Sequence, residues 1–158
     1  MNSPDKLEQL FALQTELNDR IFAKKDLRDR DGRTLTTDAV QREARSGQPL
    51  GPNTLVNEWL GKFLTALDDE SRELREELLW KWWSKDHLDL QNIRVEIVDQ
   101  LHFWISLALT SGMSASDVFD VYMQKNAVNH ARQEKDYSRA NKDEAENRAI
   151  EVGATPRS

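Results

Sequence analysis

The chain has no cysteine, and only six glycines and four prolines among its 158 residues. The absence of cysteine excludes a disulfide framework, thiolate metal sites and a cysteine nucleophile, and it fits a reducing compartment. Scarce glycine and proline leave little turn chemistry for a many-stranded sheet, so an all-α fold is expected. Positive charge is also short: 22 lysines and arginines stand against 28 aspartates and glutamates, for a formal net charge of -6. That balance speaks against nucleic acid or an anionic membrane as partner, because basic surface does most of the electrostatic work there. No run approaches the length of a bilayer span, and the start MNSPDKLEQL has no apolar signal-peptide core. The expectation is a cytoplasmic protein with one domain over residues 1–140 and a polar tail over 141–158, weakly helical or disordered.

What is there is helical periodicity. Ser3 and Pro4 read as an N-cap and first helical residue, followed by Leu7, Leu10, Phe11, Leu17 and Ile21 at helical spacing. Gln14 and Asn18 continue that stripe, so two amides stand where apolar residues are expected and require partners. After a polar stretch with a short helix at TTDAVQREAR, a second long helix is predicted from about Thr54 to Leu79. Trp59, Phe63, Glu70, Glu73 and Glu77 share one face of it, and Leu60, Leu64, Leu67, Leu74 and Leu78 supply a core stripe beside them. The tryptophans of WKWW (Trp80, Trp82, Trp83) are expected to pack at its end. A third helix from about Leu90 to Leu109 is apolar almost all round and therefore expected to be central, with Gly112 ending it. Ser114 caps a fourth helix reaching about Glu134, with Asp117 as capping-box partner.

Two constellations carry chemistry. Glu70-x-x-Glu73 and Glu96-x-x-Asp99 each project two carboxylates from one helix face. Packed together, the two helices would ring a site for Mg²⁺ or Mn²⁺, hard cations that take oxygen ligands. The first pair alone reads as ordinary solvated surface, but the second sits on a helix with almost no polar side, where unpaired carboxylates are costly. His102, one turn beyond Asp99, reads as a core histidine and stays outside the metal set. The other constellation is YMQKNAVNHARQEKDY, where Lys125 and Arg132 lie two turns apart on one face with Tyr122 and Asn129, an arrangement suited to polyphosphate oxygens.

These pieces, in the order LQTELND, ESRELREELLWKWW, LQNIRVEIVDQLHF and KNAVNHARQEKDY, make the sequence resemble the dimeric, all-α dUTPases of the MazG-like nucleoside triphosphate pyrophosphatase superfamily, over roughly Leu7 to Tyr137. The resemblance implies a four-helix-type bundle that works as a homodimer and hydrolyses dUTP to dUMP and pyrophosphate. It implies Mg²⁺, with Mn²⁺ able to substitute, held by Glu70, Glu73, Glu96 and Asp99, and Glu70 as the base toward the attacking water. It places Lys125, Arg132 and Tyr137 on the phosphates and Gln14, Asn18, Trp59 and Asn129 near the nucleoside. Ser84 stands where a lysine often follows WKWW, and Asp136 where glycine is expected. A related nucleoside triphosphate pyrophosphatase preferring dCTP or another nucleotide would carry the same acidic motifs, and a non-enzymatic helical interaction module is the alternative of another class.

Overall fold

The structure is a computed structural model that describes residues 5–134 and 145–153. Among the described residues it is all helical: α1 (Lys6–Lys24), α2 (Thr37–Ala44), α3 (Leu55–Glu76), α4 (Leu90–Thr110), α5 (Ala115–Glu134) and a single turn, α6 (Ala145–Arg148). One isolated antiparallel bridge, Arg28 to Thr34, closes the loop after α1.

Caps decide where each helix begins. The first is capped by Asp5, whose carboxylate accepts from the Leu7 amide at 2.8 Å, and not by Ser3, which with Pro4 lies outside the described residues. Thr54 caps α3, and Glu43 at the end of α2 takes a second first-turn amide, that of Val56, at 2.8 Å. Asp89 caps α4. Ser114 and Asp117 form the expected capping box: Asp117 accepts from the Ser114 amide at 2.7 Å, and its own amide donates to Ser114 Oγ at 3.1 Å. These bonds hold the Asp117 carboxyl below its ordinary range. Gly112, at φ +84°, closes α4 in a Schellman turn in which Met113 N bonds Ala108 O and Gly112 N bonds Leu109 O.

Two small cores flank the middle of α1. Phe22 joins Leu35, Val40, Leu55, Val56 and Trp59 near the start of α3, while Phe11 joins Ile105, Ala108, Leu109 and Ala115 where α4 turns into α5. The buried stripe of α1 is therefore Phe11, Gln14, Asn18, Phe22, two anchoring rings with two amides between them. Helices α3 and α4 form the principal packed pair.

Three expectations are corrected. Trp80, Trp82 and Trp83 are 74%, 87% and 61% exposed, stacked edge-on against one another rather than on the core, because α3 ends at Glu76 and the chain carries them off the bundle. Of the predicted leucine stripe of α3, Leu60 packs on the core, whereas Leu64 and Leu78 are about half exposed. Helix α4 is not enclosed within one chain either: Val95, Ile97, Val98 and Trp104 are open, since the helices around it cover only part of its circumference. No described helix is long and apolar enough to cross a membrane.

Candidate active site

The acidic centre arises from the antiparallel packing of α3 on α4. Asp99 acts on Glu70, and three residues earlier on α4 Glu96 meets Glu73 and Glu77, so the register runs in opposite directions along the two helices. Ser71 Oγ lies 3.2 Å from Gln100 Oε1 and ties the helices beside the cluster. One carboxylate oxygen each from Glu70, Glu96 and Asp99 lies within 4.8 Å of the others. Glu73 borders this trio, with one oxygen 3.7 Å from Arg72. Arg72 itself bonds Asp69 and Glu76 on the outer face of α3.

Like charges in a half-buried place resist ionisation. Burial, then Glu73, Asp99, Glu96 and Asp69, push the Glu70 carboxyl above its ordinary value. Glu96 is pushed up by burial, Glu73, Asp99 and Glu77, against a smaller opposing hydrogen bond from Asn92. Every charge named in these two shifts is another carboxylate. Glu96 Oε2 is also buried without a hydrogen-bond partner, an expensive condition for a carboxylate oxygen. Three converging carboxylates, one of them carrying an orphaned oxygen, fit a divalent cation of the Mg²⁺ type.

The two amides of α1 have found their partners inside the chain. Gln14 Nε2 donates to Asn18 Oδ1 at 3.0 Å and to Ser106 Oγ at 3.1 Å, and Asn18 Nδ2 donates to the same hydroxyl at 3.1 Å. Ser106 Oγ donates back to His102 O at 2.9 Å, and His102 Nδ1 lies 2.7 Å from Gln14 Oε1. Ser106 was not singled out in the sequence, and His102, expected to be a core histidine, is exposed. Their signal was the i,i+4 spacing on the face of α4 that meets α1, weak without knowledge of that contact. Beside the network, Leu10, Leu13, Leu17, Val98, Leu101 and Ile105 wall a groove of about 210 Å³ that Gln14 and His102 also line.

The remaining predicted residues lie elsewhere. Trp59 is buried in the first core, its ring 4.5 Å from that of Phe22 and 5.4 Å from that of Phe63, with Lys62 Nζ 4.4 Å above it; its indole nitrogen has no acceptor. Lys125, Asn129 and Arg132 are on α5, whose first turn is seated on α1 and α4. The Lys125 ammonium bonds Asn147 of α6, Asn129 is exposed and Arg132 is partly buried. Tyr137 lies outside the described residues.

Residues 6–115 match the family model described as dUTPase, a span that contains the acidic centre and the amide network. The chain belongs to the dUTPase family. Its relatives include a dCTP pyrophosphatase of Enterobacteria phage LZ5, 28% identical over 162 aligned positions that cover 87% of this chain and 86% of the relative. A dCTP pyrophosphatase of Enterobacteria phage T4 is 28% identical over 107 positions, covering 52% of this chain and 63% of that protein. No solved structure matches the chain. Within this dUTPase-family chain the matched span stops at the first residue of α5, so the resemblance seen in KNAVNHARQEKDY extends beyond it.

Proposed function

We propose that this protein hydrolyses a pyrimidine deoxynucleoside triphosphate to its monophosphate and pyrophosphate, with Mg²⁺ as cofactor and Mn²⁺ as a substitute. One observation carries the reading: carboxylates from two antiparallel helices converge, with Glu96 Oε2 buried and unpaired, inside the span that matches the family. Sequence resemblance points to dUTP; the names of the two phage relatives favour dCTP as a second reading. When bound, the cation supplies positive charge against the triphosphate and polarises the attacking water.

The chain's own residues divide the remaining work. Glu96, Asp99 and Glu73 would hold the cation with Glu70, and Glu70 orients the water and accepts its proton. Lys125, Arg132 and Tyr137 take the phosphate oxygens, and Gln14, Asn18, Trp59 and Asn129 serve the nucleoside. The open apolar surface of α4, with Leu13 and Ile21 of α1, supports a homodimer. A panel of deoxynucleoside triphosphates with Mg²⁺ and pyrophosphate detection tests the proposal. Release from dUTP or dCTP is expected; release from none would leave the helical interaction module.

A further inference from the structure

Residues 145–153 lie against α5, and two contacts fasten them there. The Gln124 side chain pairs with the backbone of Glu151 in both directions: Nε2 donates to Glu151 O at 3.1 Å, and Glu151 N donates to Oε1 at 3.2 Å. Turning the amide over would set donor against donor and acceptor against acceptor, so the pair fixes its own orientation. Two turns earlier on the same face of α5, Asp117 meets Gly153. That glycine stands at φ +64°, and a Cβ on it would come within 3.2 Å of Asp117 Oδ1, so a side chain there would have to displace the carboxylate. A turn closed by Ile150 N on Asn147 O at 3.3 Å joins Glu151 to Asn147, whose amide oxygen accepts from the Lys125 ammonium. The clasp at Gln124 therefore sets where an acceptor reaches the next residue of the helix. The sequence KDEAENRAIE around Asn147 offers Asp143, Glu144, Glu146 and Glu151, yet the group bonded to Lys125 is a neutral amide. An ammonium has three donors; an amide oxygen occupies one and leaves the full charge and the other two for phosphate oxygens, whereas a carboxylate would neutralise the charge.

We propose that Gln124 is a positioning residue for the triphosphate end of the site: by clasping Glu151 it seats residues 145–153 on α5 and sets Asn147 to aim the Lys125 ammonium. The inference rests on the nucleotide reading above, in which Lys125 takes phosphate oxygens. Held by Asn147, the flexible stem of Lys125 gives up rotamer freedom before substrate arrives, so less is lost on binding. Gln124 touches no substrate and acts through Lys125, so its effect falls on binding and is the same for every base.

Amide hydrogen exchange tests the clasp without any substrate. The Glu151 amide should exchange at least about fivefold more slowly in the wild type than in Gln124→Ala; equal exchange would overturn the proposal. Kinetics with dUTP and dCTP test what the clasp does. Gln124→Ala should raise KM about fivefold for both nucleotides with kcat little changed, and Gln124→Glu, which sets a carboxylate oxygen against Glu151 O, should not restore it. In a Lys125→Ala background, Gln124→Ala should add less than about twofold, because the group through which it acts is gone. The full loss in that background would reduce Gln124 to a structural residue, and a gain in activity on Gln124→Ala would make residues 145–153 a restraint on the site. Either result would overturn the inference while leaving the wild-type activity, and hence the functional reading, intact. A wild type that hydrolyses neither nucleotide would overturn the functional reading and this inference together.

Discussion

Helix α4 presents polar groups to both of its principal neighbours, and the two contacts are built on opposite terms. Toward α3 it offers Glu96 and Asp99 to Glu70, charges of one sign with an orphaned oxygen among them. Toward α1 it offers Ser106 and His102 to Gln14 and Asn18, neutral groups whose donors and acceptors interlock. Unsatisfied buried charge costs folding free energy that a bound cation can return, whereas a closed neutral network stabilises the chain with no ligand present. The first contact is therefore read as a place to bind and the second as a scaffold that orients what binds beside it.

The sharpest way to break the contrast is to remove charge on one side. Glu96→Gln or Asp99→Asn should cost about 10³-fold or more in hydrolysis at saturating Mg²⁺, while the melting temperature in EDTA stays level or rises. Activity within about tenfold of wild type for both variants would refute the metal assignment. Removing the cations of α5 comes next. Lys125→Ala and Arg132→Ala should each cost about 2 kcal/mol of transition-state stabilisation, roughly 30-fold in kcat/KM, by the same factor for every base. A changed ranking of dUTP against dCTP would refute the phosphate role.

On the neutral side, Ser106→Ala strands two buried amide donors and should cost about 1–3 kcal/mol of stability by chemical denaturation. A loss no larger than the roughly 0.5 kcal/mol of a surface change would show the network to be loose. The smallest effect is in pH. Because Glu70 and Glu96 have raised folded-state values, these two groups hold more protons in the native chain than in the unfolded chain from about pH 4.5 up through the raised values. In EDTA their contribution to stability should therefore fall as pH rises through the raised values, and Mg²⁺ should lessen the fall. A melting temperature that climbed over the same window in wild type but not in Glu70→Gln would reverse the assigned sign.

Much of the helical plan was readable because caps and periodicity are local. Thr54, Gly112 and the Ser114–Asp117 box mark their boundaries through side chains or φ preferences acting within a few residues. The acidic trio was readable because the i,i+3 spacing survives in any helix and the apolar surroundings of Glu96 made its charge conspicuous. The amide network was half readable. Gln14 and Asn18 announced a need for partners, but Ser106 lies 92 and 88 residues away, and a serine on an apolar helix carries no signal of its own. The tryptophans misled because hydrophobicity says that a ring prefers burial, not whether the backbone stays near enough to bury it.

The turn at Gly112 also governs leverage. Arg45 Nε holds Gly112 O at 2.7 Å, and a Cβ at that glycine would come within 3.1 Å of the Ala44 Cβ, so the end of α2 presses on the joint from which α5 departs. Helix α5 then extends for 20 residues, about 30 Å at the usual rise. It acts as a lever arm with its fulcrum beside α2: a tilt of a few degrees at the joint, too small to disturb the short contacts there, becomes a displacement of more than an ångström at Arg132. A side chain in place of Gly112 would thus misaim the far end of α5 while leaving both polar clusters of α4 untouched.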